Sequence, residues 1–256
     1  MFDTIRYEYD SQDHFAKITL NRPEKRNAVS LEMGRELNEI LDNLSQNKEL
    51  KFLVITGSGN KSFCAGGDLY DFHGAMDEGK AYEQLRRLKT VLYKLASFPL
   101  PTICILNGDA RGGGCELATA CDFRFAEKNT RHGFIQGKLG ITPGWGGGVL
   151  LYKRILPLLA YQWLLESDMR DAGQLQQMGW IQKLFSEGQG INELVKPFIE
   201  KQRAQLHSFK KQYINQYSLD QLADDMDMEV KNCARLWVSD EHKQAVEAFF
   251  KRGRKK

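Results

Sequence analysis

Apolar and polar positions recur along this chain with two periods, and the switches between them mark its elements. Phe15 to Leu20 (FAKITL) alternates with period two, as a strand with one buried face does, and NRPEKRNA breaks it at Pro23. Met33, Leu37, Ile40, Leu41 and Leu44 then recur at 3.6-residue spacing and predict an amphipathic helix. Phe52 to Thr56 (FLVIT) and Thr102 to Leu106 (TICIL) are unbroken apolar runs, the pattern of strands covered on both faces. Between them Leu85, Leu88, Leu92 and Leu95 mark a second helix, closed by Phe98, Pro99 and Pro101. After TICIL a glycine-rich turn leads directly into an Ala-rich helix over about Gly114 to Ala120, followed by a short strand, Phe123 to Ala126. Strand, helix, strand, helix in this order predicts an α/β layered core.

Farther along, Leu139 to Gly148 (LGITPGWGGG) opens a helical stretch toward Ile155. Asp171 followed by Gln174 predicts a capped helix start, with Gly179 as its stop before a strand-like WIQKLF. From about Asn192 glycine vanishes until Gly253 and helical spacing takes over. Ser218 with Gln221 predicts another cap, and Leu222, Met226, Val230, Ala234 and Trp237 share one face. These helices are too polar to form a core of their own, so they are expected to pack on the first part or on another subunit. The expected organisation is therefore a core over residues 1–191 and a helical region over 192–256.

Composition narrows the function classes. A chain of 256 residues buries a sizeable core, and a net charge of +3 is too small to imply nucleic acid. Much of the basic excess sits in Lys251, Arg252, Arg254, Lys255 and Lys256, either a solvated tail or a contact for a polyanionic ligand. Cys64, Cys104, Cys115, Cys121 and Cys233 form no CxxC pair and no even framework, which suits a reducing, cytoplasmic setting. The N-terminal MFDTIRYEYDSQDH carries acids and no apolar stretch of a signal peptide, and no apolar run approaches the ~20 residues of a membrane span.

The candidate chemistry centres on Asn107 to Asp122, NGDARGGGCELATACD. Three glycines let the backbone turn sharply and approach a small group closely. The first N–H groups of the helix that follows lack intrahelical partners and carry the positive end of its dipole. A second glycine loop, GSGNKSFCAGGDL, follows FLVIT and offers further backbone amides. A dinucleotide fingerprint would need its turn after the first strand, not more than a hundred residues in. A phosphate loop ending in Gly-Lys-Ser/Thr is absent; His14, His73, His132, His207 and His242 are scattered without metal-ligand spacing; and there is no GxSxG elbow. What remains is a backbone-amide oxyanion site with the carboxylate of Glu116 beside it.

Five ordered landmarks carry a resemblance: LNRPEKRNA (Leu20 to Ala28), FCAGGDL (Phe63 to Leu69), NGDARGGGCELATACDFRFA (Asn107 to Ala126), LGITPGWGG (Leu139 to Gly147) and the closing AVEAFFKRGRK. On these the chain resembles the enoyl-CoA hydratase/isomerase (crotonase) family over essentially its whole length. The resemblance implies an α/β crotonase (ClpP-like) spiral core of repeated strand-strand-helix units with a C-terminal helical trimerisation region, assembled as a homotrimer or homohexamer. It implies an acyl-CoA thioester substrate, coenzyme A being part of that substrate, with no other cofactor and no metal. The backbone amides of Gly67 and Gly113 would hold the thioester oxygen. Lys25, Arg26, Ala65 and Asp68 would border coenzyme A, and Phe249, Lys251 and Arg252 would help cover its nucleotide.

Glu116 matches the first of the two hydratase glutamates, whereas Gln136 stands where the second is expected, four residues before Gly140. Glutamine orients a water but does not cycle a proton. The run ACDFR and the pattern from Phe134 to Gly147 resemble acyl-CoA decarboxylases such as ethylmalonyl-CoA decarboxylase, which keep the first glutamate alone; Trp145 would then shape the acyl pocket. The expected activity is that of a lyase built on one glutamate, either enoyl-CoA hydration or decarboxylation of a malonyl-type acyl-CoA. The alternative is a non-catalytic family member that binds CoA thioesters or RNA.

Overall fold

The computed structural model describes residues 2–72 and 76–253. Its elements run β1 (Ile5–Asp10), β2 (Phe15–Leu20), α1 (Leu31–Ser45), β3 (Phe52–Gly57), β4 (Ser62–Cys64), α2 (Leu69–Phe72), α3 (Glu78–Ala96), β5 (Thr102–Leu106), β6 (Asp109–Arg111), α4 (Gly113–Ala120), β7 (Phe123–Glu127) and β8 (Arg131–Gly133). They continue α5 (Gly147–Arg154), α6 (Pro157–Glu166), β9 (Arg170–Asp171), α7 (Ala172–Gln177), β10 (Lys183–Phe185), α8 (Ile191–Ile199), α9 (Arg203–Ile214), α10 (Leu219–Trp237) and α11 (Asp240–Gly253).

Two sheets organise the core. The larger has the order β1-β2-β3-β5-β7-β10, parallel throughout except for the β1–β2 pair. The smaller, β4-β6-β8-β9, is parallel except at β9. Each of β3, β5 and β7 passes its chain to a short strand of the smaller sheet before the chain turns back, and β4 and β6 are followed by helices, so the core winds as strand-strand-helix units.

Apolar runs become strands here because both faces are covered. Leu53, Ile55, Cys104 and Leu106 belong to the main core with α1 and α3. Phe52, Val54, Ile103 and Ile105 point the other way and pack with Leu194, Val195 and Leu206 of α8 and α9. The C-terminal helices thus close the outer face of the large sheet, while α10 lies on α3 and α5. A buried ion pair joins α9 to the core: Lys210 Nζ lies 2.5 and 2.6 Å from the Asp122 carboxylate oxygens, and Asp122 also accepts from Thr102 N at 2.9 Å.

The cap residues expected from sequence are in place. Asp171 and Gln174 form a reciprocal capping box on α7, Ser218 Oγ accepts from Gln221 N, and Gly179 takes φ +80° after the helix. Two expectations need correction. The glycine turn does not follow TICIL directly, because β6 intervenes and belongs to the other sheet. Only Lys183–Phe185 of WIQKLF is strand; Trp180 and Ile181 are buried in the turn after α7, so their apolar character reports burial, not pairing. Pro157–Glu166 is a helix that the sequence reading did not identify.

Candidate active site

The two glycine loops meet because the strands that deliver them are parallel neighbours. β4 leads to Ala65-Gly66-Gly67 and β6 to Gly112-Gly113, and both chains turn at the same edge. The first loop is pinned by Val29 N to Gly66 O and Asp68 N to Val29 O, each 2.8 Å. A Cβ on Gly66 would lie 2.9 Å from Arg111 O and 3.4 Å from Gly113 N, which measures how closely the loops abut. Among the described residues, neither Gly67 N nor Gly113 N donates a hydrogen bond. Gly113 opens α4, where the first amides have no partner within the helix. The ring of Trp145 covers both glycines: a Cβ would come within 3.3 Å of it at Gly67 and 2.2 Å at Gly113, so residue 113 has no room for a side chain.

Glu116 lies one turn into α4 and is 2% exposed. Its Oε1 accepts from Gln136 Nε2 at 2.8 Å and from Gly144 N at 3.4 Å. Its Oε2 accepts from Trp145 N at 2.9 Å and Gly147 N at 3.1 Å. Burial raises its pKa above the usual carboxylate value, and these four donors pull in the opposite direction. Gly147 is a glycine for a matching reason, since a Cβ there would sit 2.4 Å from the Glu116 side chain.

A second carboxylate, half-buried and not singled out by the sequence, lies beside the Glu116 network. Glu229 of α10 accepts from Gly146 N at 2.8 Å and Val149 N at 2.7 Å. Burial, and then repulsion from Glu116, pushes its pKa up to about 8. Helix α5 begins at Gly146 with no side-chain cap of its own, so Glu116 and Glu229 answer its first amides from two other helices. A sequence signal for Glu229 did exist: it stands three residues after Met226 and four before Cys233, both on the buried face of α10.

Gly67, Gly113, Glu116, Gln136, Trp145 and Trp237 line one cavity of about 140 Å³. Gln136 opens a short turn, Gln136–Leu139, and with Ile141 and Thr142 separates this cavity from an adjoining one of about 780 Å³. Trp237 was expected on the buried face of α10; its indole meets Phe72 at 6.5 Å between centroids.

The residues expected around coenzyme A are less concentrated. Lys25 and Arg26 are exposed on the turn after β2, Lys25 Nζ sits 5.2 Å from the Tyr70 ring centroid, and Arg26 O accepts from Ala65 N at 3.0 Å. These three therefore adjoin the glycine loop. Asp68 is 6% exposed and its carboxylate pairs with Arg22 at 2.8 Å, so its side chain fixes the loop. Lys251 is exposed on α11 beside Glu247, 3.8 Å away. Phe249 lies on α11 with its side chain outside the described residues, as do the side chain of Arg252 and all of residues 254–256. Helix α11 reaches the Gln136–Leu139 turn through His242, whose Nδ1 is 2.6 Å from Leu139 O.

No group of three or more His, Cys, Asp or Glu suited to a metal occurs among the described residues, and all five thiols are buried and free. His132 bridges β6 and β8, accepting from Ala110 N at 3.2 Å; burial lowers its pKa to about 4 and keeps it neutral. No described helix is long and apolar enough to cross a membrane.

With this geometry established, comparisons with known proteins fix the family. A family model described as enoyl-CoA hydratase/isomerase matches residues 10–256. The crotonyl-CoA hydratase of Syntrophomonas wolfei is 33% identical over 187 residues, 73% of this chain and 72% of that protein. The short-chain-enoyl-CoA hydratase of Clostridium acetobutylicum is 30% identical over 184 residues, 72% and 70% of the two chains. A Bacillus subtilis relative named as an enoyl-CoA hydratase/isomerase, YngF, is 39% identical over 147 residues, and the match spans 57% of this chain and little over half, 56%, of that protein. The crystal structure of an enoyl-CoA hydratase from Bacillus halodurans superposes with a TM-score of 0.87 at 23% identity, covering 96% of this chain and 100% of that one. The chain belongs to the enoyl-CoA hydratase/isomerase family and has the crotonase fold.

Proposed function

We propose that this protein adds water reversibly to short 2-enoyl-CoA thioesters. One observation carries the reading: the bonded pair of Glu116 and Gln136 shares a cavity with Gly67 and Gly113, whose amides are free to donate. The thioester oxygen accepts from these two amides, which stabilise the enolate formed when the β-carbon is attacked. Water sits on Glu116 Oε1, the oxygen whose second contact is the long one to Gly144 N. Its hydroxyl joins the β-carbon, its proton passes to Glu116, and Glu116 returns a proton to the α-carbon, so that one carboxylate serves both steps. The cavity is small, about 140 Å³, which suits a short acyl chain. Lys25 and Arg26, beside Ala65, supply positive charge for the coenzyme A phosphates.

Two features of the relatives and the surface support the rest of the assignment. Crotonyl-CoA and short-chain enoyl-CoA hydratases are among the similar proteins. Leu158, Tyr161 and Leu165 form an exposed stripe along α6, 74%, 52% and 66% accessible, which fits burial against further copies in a trimer or hexamer. The second reading, decarboxylation of a malonyl-type thioester, is favoured by Gln136 at the place of a second carboxylate, because the C–C bond breaks to release CO₂ with its electrons held as an enolate by the amides, and the α-carbon then takes one proton from solvent with no base needed to remove one first.

Incubation with crotonyl-CoA, followed by the loss of enoyl absorbance, tests the first reading. Parallel incubation with methylmalonyl- and ethylmalonyl-CoA, followed by CO₂ release, tests the second. Hydration without CO₂ release is expected. CO₂ release without hydration would transfer the assignment to decarboxylation, and no turnover of any of the three would refute both.

A further inference from the structure

A further cavity, of about 410 Å³, lies at the end of the large sheet where strands enter, beside Pro101 before β5, Asp122 before β7 and Gln182 before β10. It shares no lining residue with the candidate active site, whose glycine turns follow the exits of β4 and β6. Its volume falls within the roughly 300–1,000 Å³ of small-molecule sites. The charges on its wall are out of balance. Arg124, Arg154 and Lys210 stand against Asp122 alone, three cations to one carboxylate, and all four side chains are buried. Asp122 is already engaged by Lys210 Nζ at 2.5 and 2.6 Å, which leaves Arg154 3.6 Å from it. Arg124 donates to the carbonyls of Ala118, Cys121, Asp122 and Trp180 and to Gln182 Oε1, neutral acceptors that satisfy its N–H groups without cancelling its charge. Burial, and then repulsion from Arg154, lowers the Arg124 pKa to about 10. Buried charges in proteins are ordinarily paired, so an excess of this kind calls for an anion.

We propose that this cavity binds a small organic carboxylate with an apolar body, its head group held by Arg154 and the Tyr213 hydroxyl and its body against Phe123, Phe198 and Phe209. The rest of the wall fits such a body. Phe123 and Phe198 meet edge to face at 5.3 Å between centroids, and Phe209 is 62% exposed at the mouth. Tyr213 Oη accepts from Arg154 Nη1 and keeps its own proton to donate. A carboxylate there cancels part of the positive excess through charge-assisted bonds in a dry setting. An uncharged ligand of the same shape would leave the imbalance, and an inorganic anion would leave the aromatic wall uncovered. The site stands apart from the thioester chemistry and does not depend on it.

Calorimetric titration of the intact protein with octanoate, 1-octanol and inorganic phosphate tests this. One octanoate per chain is expected, about tenfold or more tighter than either of the other two. Arg154→Met removes the head-group partner while leaving the Asp122–Lys210 pair, and should weaken octanoate by about tenfold or more. Phe209→Glu, at an exposed position, sets a like charge at the mouth and should weaken octanoate by a similar factor, with native circular dichroism retained. Absence of octanoate binding overturns the proposal, and so does equal affinity for 1-octanol or for phosphate. Affinity unchanged in either variant also overturns it, because octanoate would then sit elsewhere, the acyl cavity included. If Arg154→Met does not fold, Phe209→Glu decides.

Discussion

Replacing Glu116 separates its chemical task from its structural one. In Glu116→Gln the new amide nitrogen can take either oxygen's place. At the Oε2 position it would confront Trp145 N–H and Gly147 N–H, two donors 2.9 and 3.1 Å away, and the conflict would be severe. At the Oε1 position it faces only the Gly144 contact at 3.4 Å and the Gln136 amide, which can turn over and offer its unanswered Oε1. The second arrangement keeps the two firm backbone bonds, so the cost is about 1 kcal/mol, or roughly 2–4 °C in melting temperature. Glu116→Ala has no such repair. Trp145 N and Gly147 N are both left buried and unpaired at about 1–3 kcal/mol each, a fall of roughly 5–20 °C. The same Glu116→Gln change removes the proton carrier and should lower hydration of crotonyl-CoA by ~10²-fold or more. Thermal denaturation followed by circular dichroism, beside initial rates on crotonyl-CoA, reads both effects. A Glu116→Gln protein that hydrates at the wild-type rate, or that melts as low as Glu116→Ala, would refute the network described here.

Glu229→Gln tests the other carboxylate through pH. A folded pKa of about 8 lies above the ordinary carboxylate value of 4.5, so between these limits the unfolded chain has released a proton that the folded one keeps. Wild-type stability from this group therefore falls as pH rises from about 4.5 to 8, by up to about 1.4 kcal/mol per unit; the melting temperature of Glu229→Gln relative to wild type should climb from pH 5 to pH 8, and a flat difference would show that the carboxylate is ionised throughout. Gly113→Ala drives a methyl group into the Trp145 ring, displacing the turn that carries the amide, and should reduce kcat/KM on crotonyl-CoA by ~10²-fold with native circular dichroism retained; an unchanged rate would show that residue 113 does have room for a side chain. Lys210→Met leaves Asp122 buried with Thr102 N and the more distant Arg154, 3.6 Å away, and should cost about 3–5 kcal/mol, read in urea unfolding; a loss below 1 kcal/mol would show that α9 is held by its apolar contacts alone.

The middle strands of the large sheet, β3 and β5, were readable from sequence because they are apolar on both faces, a pattern that survives without knowledge of what covers them, whereas the mostly exposed edge strand β1, IRYEYD, was not. Leu53 and Ile55 face one cluster while Val54 faces the other, and either face alone would have produced only an alternation. The small sheet was not readable. Its strands, β4, β6, β8 and β9, are two or three residues long, and DAR or RHG carries no periodicity. Of the site, the glycine turns were legible because a tight approach needs glycine, and Glu116 and Gln136 were legible from their place in recognisable motifs. Their mutual bond was not, since they lie twenty residues apart and meet only when α4 and the turn after β8 are folded. Glu229 was hidden for the same reason at greater distance, 80 and 83 residues from the amides it caps. Asp68 shows the converse: its place in a motif suggested a ligand contact, while Arg22, outside that motif, claims its carboxylate.

The central claim is that the Gly67 and Gly113 amides stabilise a thioester enolate while Glu116 carries its proton. Exchange of the α-protons of butyryl-CoA in heavy water, followed by mass spectrometry, reads that step without any hydration or decarboxylation. The account predicts deuterium uptake at the α-carbon with the wild-type protein and a loss of at least ~10²-fold with Glu116→Gln. Absence of exchange in the wild type, or undiminished exchange in Glu116→Gln, would contradict it.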